Sequence, residues 1–244
     1  MNGVIAGITL RQLLSRRRTL LLLLFGGVLV LVAFVFRLAG DESRALPFTA
    51  QLLANLGIAV LMPLVALLFG TGAIGSELED GTAVYLLAKP IRRSTILLTK
   101  LLVASGCAIL VTCGPMLLAG LIAAGGLGDG LVLGFVGAAA IGSILYAALF
   151  VALSLTTARA LVFGLGYVLI WEGVLSGLFA GTRTFSVRQI TLSLADLFAD
   201  VPPEVFDAQL DLATAMVMAA IVLVVATALA IRRLSMLEIA GETA

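Results

Sequence analysis

Six long apolar runs dominate the chain, at roughly 19–36, 51–74, 101–124, 131–156, 160–180 and 211–231. Each comes close to or exceeds the ~20 residues an α-helix needs to cross a hydrocarbon core. The runs are continuously apolar and do not alternate, so they predict spanning helices and not barrel strands. Pro63 and Pro115 lie inside the second and third runs. A missing N–H and a clashing ring predict kinks at both. The expected fold is an all-α membrane protein, a single transmembrane domain over 1–244 with six transmembrane helices.

Three polar stretches interrupt this pattern: 1–18, 75–100 and 181–210. The first carries Arg11, Arg16, Arg17 and Arg18 and is read as a cytoplasmic or interfacial segment. Two forms of it stay open, a helix lying in the membrane plane and a basic flank that only sets topology. The apolar run after it continues to Phe36, longer than a signal-peptide core, and no small-residue cleavage site follows. A retained helix is expected. In the external loop 181–210, Ile190, Leu194, Leu197 and Phe198 have helical spacing before Pro202-Pro203. A short helix on or dipping into the outer leaflet and an ordinary loop both fit.

Charge then orients the chain. With both termini cytoplasmic, eleven of the fifteen basic residues face inward, and only Arg37, Arg44, Arg183 and Arg188 lie outside. Basic residues concentrate on the cytoplasmic side of membrane proteins, which selects this topology. Residues 75–100 are therefore cytoplasmic and predict a helix between spans two and three.

Composition removes several classes of function. The chain is 61% hydrophobic and 12% charged, against about a quarter charged in soluble domains. Its net charge of +1 does not suit a nucleic-acid binder. It has no histidine and two cysteines, which build neither a disulfide framework nor a zinc site. Cys107, Cys113 and Met116 read as buried hydrophobes, with a soft-metal site as the alternative. No metal and no catalytic residue is assigned. Lys89 is followed by proline and Lys100 by leucine, so the GxxxxGK[ST] phosphate loop is missing and no ATP hydrolysis is expected of this chain.

The stretch 75–100, GSELEDGTAVYLLAKPIRRSTILLTK, holds seven charged residues in an otherwise oily region. Glu77, Glu79 and Asp80 come first, in the opening turns expected of a short helix, where acids complement the positive end of its dipole. Pro90 ends that helix. Arg92, Arg93 and Lys100 mark the return to the membrane, near lipid phosphates. A solvated connection explains the bases but not the acids, nor the Tyr85-Leu86-Leu87 patch. Those fit a docking surface for another protein.

Glu172 is the one acid deep within a predicted span, ~18 Å from Ala160 at 1.5 Å per residue. Intramembrane acids face a bundle interior or a watery cavity. Two roles remain open, a polar contact on a translocation path and a structural hydrogen bond to another helix. Beside it, Gly173, Gly177 and Gly181 form a ridge that permits close helix packing, within the chain or across an interface.

Glu77-x-Glu79-Asp80-Gly81-Thr82, Leu86-Leu87-Ala88-Lys89-Pro90, Ile91-Arg92-Arg93 and Ile96 to Lys100 resemble the cytoplasmic signature of type-two ATP-binding-cassette (ABC) transporter permeases. Thr99 departs from a common glycine and Arg92 from a frequent serine. The basic N-terminal segment, six spans, long loop before the last span and short basic tail extend the resemblance over the whole chain. It implies an exporter-like permease subunit in a prokaryotic plasma membrane, with 75–100 as the coupling segment seated in a separate ATPase. Glu77, Glu79, Asp80, Gly81, Thr82, Leu86, Leu87 and Pro90 would shape and seat that segment, and Arg92, Arg93 and Lys100 would anchor it. It further implies two ATPase copies carrying ATP and Mg, and a second permease subunit, identical or different. In that family the first and fifth helices meet across the dimer, which suits Gly26 and Gly27 as well as the Gly173 ridge. Two other classes stay in view, an autonomous carrier or channel using Glu172 and a membrane scaffold that transports nothing.

Overall fold

The computed structural model describes residues 3–14, 17–40, 42–79, 92–127, 130–199 and 201–236. All regular structure among them is helical. Helix α1 (Gly3–Leu14) precedes the first span, α2 (Arg17–Ala39). The second span is built from α3 (Ala45–Leu52), a π-helical stretch Leu53–Leu61, and α4 (Met62–Glu79). Helices α5 (Arg93–Ala124) and α6 (Leu131–Ser154) are the third and fourth spans. The fifth consists of α7 (Ala160–Gly166), a second π-helical stretch Tyr167–Leu175, and α8 (Ser176–Leu178). After a 3₁₀ segment, Ala180–Phe185, come α9 (Val187–Ala199) and the sixth span, α10 (Leu212–Met236). Among the described residues six helical stretches are long and apolar enough to cross a membrane.

Local sequence accounts for the breaks. Pro63 lies two residues past the first π stretch, where the wider turn relieves the clash between the proline ring and the preceding carbonyls. Pro115 sits within the continuous α5. Helix α5 ends where Gly125 takes a left-handed φ of 72°, a conformation that costs glycine nothing. Asp211 starts α10 by accepting the Thr214 N–H on Oδ2 at 3.1 Å.

Helix α6 is the hub, packing on α4, α5, α9 and α10. Lipid is as apolar as leucine, so burial alone does not hold such helices together. Close van der Waals contact does, and small residues make it possible. A stripe of Gly134, Ala138 and Gly142 on α6 is fully buried. A Cβ at Gly134 would strike the backbone of Phe198 and Ala199, and one at Gly142 would strike Thr191 and Met62. Helix α9 is thus laid along the first half of α6. It is amphipathic, with Ile190, Leu194 and Ala195 buried, while Leu197 and Phe198 are exposed.

Packing is uneven around this centre. In the second span 67% of the apolar window is buried, against 22% in the first and fifth and 17% in the sixth. These three outer spans present leucine, valine and phenylalanine outward. Helix α1 rests against α4 and α5, with Thr9 and Leu13 buried. Leu13 of α1 faces Gly72 of α4, next to the Ala73 carbonyl that Lys100 reaches. Helix α1 thus shares the basic end of the bundle with Lys100 and Arg93, while Asp196, Asp207 and Asp211 line one hollow at the acidic end.

Candidate functional site

Two places in the bundle gather polar groups. The first is the basic end, where α4 closes and α5 begins. Glu77 and Glu79 lie in the last turns of α4 and not at the start of a separate helix, which corrects the dipole reading of these acids. The physical reason is the absence of a breaker: Ser76, Glu77, Leu78 and Glu79 extend the helix, and Gly81 is the first residue disposed to stop it. Asp80, Gly81, Thr82, Leu86, Leu87 and Pro90 lie outside the described residues.

The basic residues flanking this break differ in setting. Arg92 is exposed. Arg93 is half-buried and donates from Nη1 to the carbonyls of Leu234 and Ser235 at 3.0 and 2.7 Å. These are last-turn carbonyls of α10, the negative end of its dipole, so a cation is favoured there. Lys100 is 1% exposed, and its Nζ donates to the Ala73 carbonyl at 2.8 Å. An ammonium so far from water needs such acceptors. Together Lys100 ties α5 to α4, and Arg93 ties the start of α5 to the end of α10.

The second place is Glu172, 1% exposed within the second π stretch. In an α-helix, residues five apart point roughly 140° away from each other. The wider π turn brings such residues onto one face. Tyr167 thereby donates its hydroxyl to Glu172 Oε1 at 2.9 Å. The same oxygen accepts the Val187 N–H at 2.9 Å, and Oε2 accepts the Ser186 hydroxyl. Ser186 in turn accepts the Gln189 N–H at 3.1 Å, capping α9. The carboxylate therefore sits on the positive end of α9, deep in the bundle, and three donors of the chain itself hold it there.

Tyr167 and Ser186 carry roles that the sequence reading did not assign. Ser186-x-x-Gln189 before an apolar run is a helix-start signal and was legible in principle. The Tyr167 contact was not, because its spacing makes sense only in a π-helix. The packing glycines also divide. Gly26 is buried, and a Cβ there would meet Pro115 of α5 at 2.6 Å, while Gly27 has nothing within 4 Å. Gly173, Gly177 and Gly181 are exposed, and Gly177 and Gly181 meet no neighbour within 4 Å. All three lie away from this chain's own bundle, but Gly181 belongs to the 3₁₀ segment beyond the extended Phe179, so the expected helical ridge ends at Gly177.

Cys107 is buried and Cys113 half-buried, and Cys113 Sγ lies 3.5 Å from the Val136 carbonyl as a weak donor. Among the described residues no group of three or more cysteine, aspartate or glutamate side chains is placed to hold a metal ion. At the acidic end, burial and then the charge of Asp207 push the Asp196 carboxyl above its usual range, against a backbone hydrogen bond at Ala208 that lowers it.

In comparison with known proteins, residues 4–239 match the family model described as ABC-2 family transporter protein. No curated protein matches the chain.

Proposed function

The chain belongs to the ABC-2 transporter family, and on that premise we propose that it is the permease subunit of an ATP-driven exporter moved by a separate ATPase. The observation that carries this reading is the family match across almost the whole six-span bundle. Residues 75–100 are the coupling segment, with Glu77, Glu79, Asp80, Gly81, Thr82, Leu86, Leu87 and Pro90 seated in the ATPase. Two ATPase copies bind ATP and Mg, and two permease subunits face one another through the first and fifth spans.

The bracing around the break supports a mechanical path. A push on the coupling segment is carried at one root by α4 and at the other by α5. The Lys100–Ala73 contact keeps these two helices together, and the Arg93 contacts carry α10 with them. Packed helices then move as a body and do not deform locally. Spans two, three and six shift together.

Charge reversal tests this assignment. Glu77→Lys and Glu79→Lys keep the membrane insertion of the chain but weaken its ATPase association at least about tenfold, since like charges facing each other at an interface cost several kcal/mol. Co-purification of the ATPase and its stimulated turnover are the measurements. Unchanged association and transport in both variants would overturn the coupling role.

A further inference from the structure

A groove at the basic end opens sideways between α6, α7 and α10. Its main hollow has a volume of about 360 Å³, within the ~300–1,000 Å³ typical of small-molecule sites. Phe150, Leu153, Phe163 and Leu229 form apolar walls, Tyr167 lies at one side, and Arg233 is at the rim. A second hollow of about 320 Å³ shares Leu229 and Arg233 and adds Arg232 and Met236. The two hollows thus share one arginine, with a second arginine next to it.

Neither guanidinium has a hydrogen-bond or ion-pair partner among the described residues. Arg93, a few residues away in space, is engaged with the end of α10. Among the described residues no acidic side chain lines either hollow. Phe163 is 60% exposed and Leu229 50% exposed, so the walls are open to the membrane.

We infer that this groove is a binding site for one anionic glycerophospholipid, its phosphate on Arg233 and its acyl chains in the two hollows. Charge complementarity selects the ligand. A zwitterionic head would bring its own cation toward two arginines, whereas a head with net negative charge brings no opposing cation. Apolar walls open to the membrane select a lipid over free phosphate, because acyl chains fill them and a small polar anion finds no partner there. Basic pockets between transmembrane helices are suited to such headgroups.

The test uses the full chain in vesicles, with a single tryptophan placed in the groove by Phe163→Trp in a Trp171→Phe background. Trp171 Nε1 has no hydrogen-bond partner, so its replacement removes none. Quenching by brominated phosphatidylglycerol is compared with quenching by brominated phosphatidylcholine at equal mole fraction. The anionic lipid is expected to bind about fivefold more tightly, the effect of one arginine near a membrane surface. Arg233→Gln removes that preference and Arg233→Lys retains most of it. Arg11→Gln, an arginine lost from the same end but on α1, leaves it intact. Equal quenching by both lipids overturns the site, and so does loss of preference in Arg11→Gln to the same extent. Full displacement by glycerol 3-phosphate overturns the lipid as occupant.

Discussion

Glu172 illustrates how one residue is fixed by its neighbours. An ionised side chain inside a bundle is costly unless donors surround it. Here Tyr167, Ser186 and the Val187 N–H supply them, and the carboxylate joins the fifth span to α9. Glu172→Ala leaves these buried donors unpaired at about 1–3 kcal/mol each. The melting temperature in detergent falls by at least roughly 6 °C, at ~2–4 °C per kcal/mol for a chain of this size. Glu172→Gln, whose carbonyl still accepts from Val187, falls less. An unchanged Tm in Glu172→Ala would remove the structural role. Asp196 gives a pH signature. Its carboxyl is raised on folding, so the stability it contributes is present at low pH and lost as pH climbs through its folded value. Asp196→Asn therefore raises Tm at pH 7 and leaves it nearly unchanged at about pH 3, below the usual aspartate value. A thermal-shift series across pH reads both arms. That an acid sits in the fifth span was legible in the sequence; its partners were not, since Ser186 and Val187 are brought back to it by a turn of the chain.

Among the elements, α9 shows how far hydropathy reaches. Ile190 and Leu194 with helical spacing offered a short helix as one of two readings, the other being an ordinary loop. Its depth and its partner came from glycines on another helix. The sequence reading singled out Gly173, Gly177 and Gly181, yet α9 uses Gly134 and Gly142 of α6. Every small-residue stripe permits close approach, and nothing within a stripe says which helix will approach. Gly134→Ala tests the contact. The new methyl group meets the backbone of Ala199 and Phe198, which cannot step aside, and the cost is about 1–3 kcal/mol. Gly57→Ala meets only the flexible end of Met116 and costs less. Hydrogen exchange over 187–199 should rise in Gly134→Ala and stay near the parent in Gly57→Ala. Equal behaviour of the two variants would mean that α9 is not held by this approach. The π stretches were similarly hidden, because Pro63 announces a distortion without saying which form it takes.

At the scale of the whole molecule, the outer faces of spans one, five and six are apolar and largely uncovered by the chain. Lipid covers most of such a surface. On the reading proposed above, a second subunit covers the exposed Gly173 and Gly177. Gly177→Leu projects into open space in the single chain and so leaves its Tm near the parent value. The dimeric fraction, measured by crosslinking in membranes, should drop several-fold. A dimer fraction equal to the parent's would exclude the ridge from the interface. The sequence by itself determined that the chain crosses a membrane six times as helices, because hydrocarbon forces every backbone group to pair within its own segment. It also marked the charged break between α4 and α5, since polar residues stand out against an oily background. Only the tertiary structure decided which spans lie at the centre, that Lys100 and Arg93 brace that break, and that Glu172 seats α9. Each of these depends on groups far apart in sequence meeting at hydrogen-bond or van der Waals distance, and the order of residues along a chain does not contain those distances.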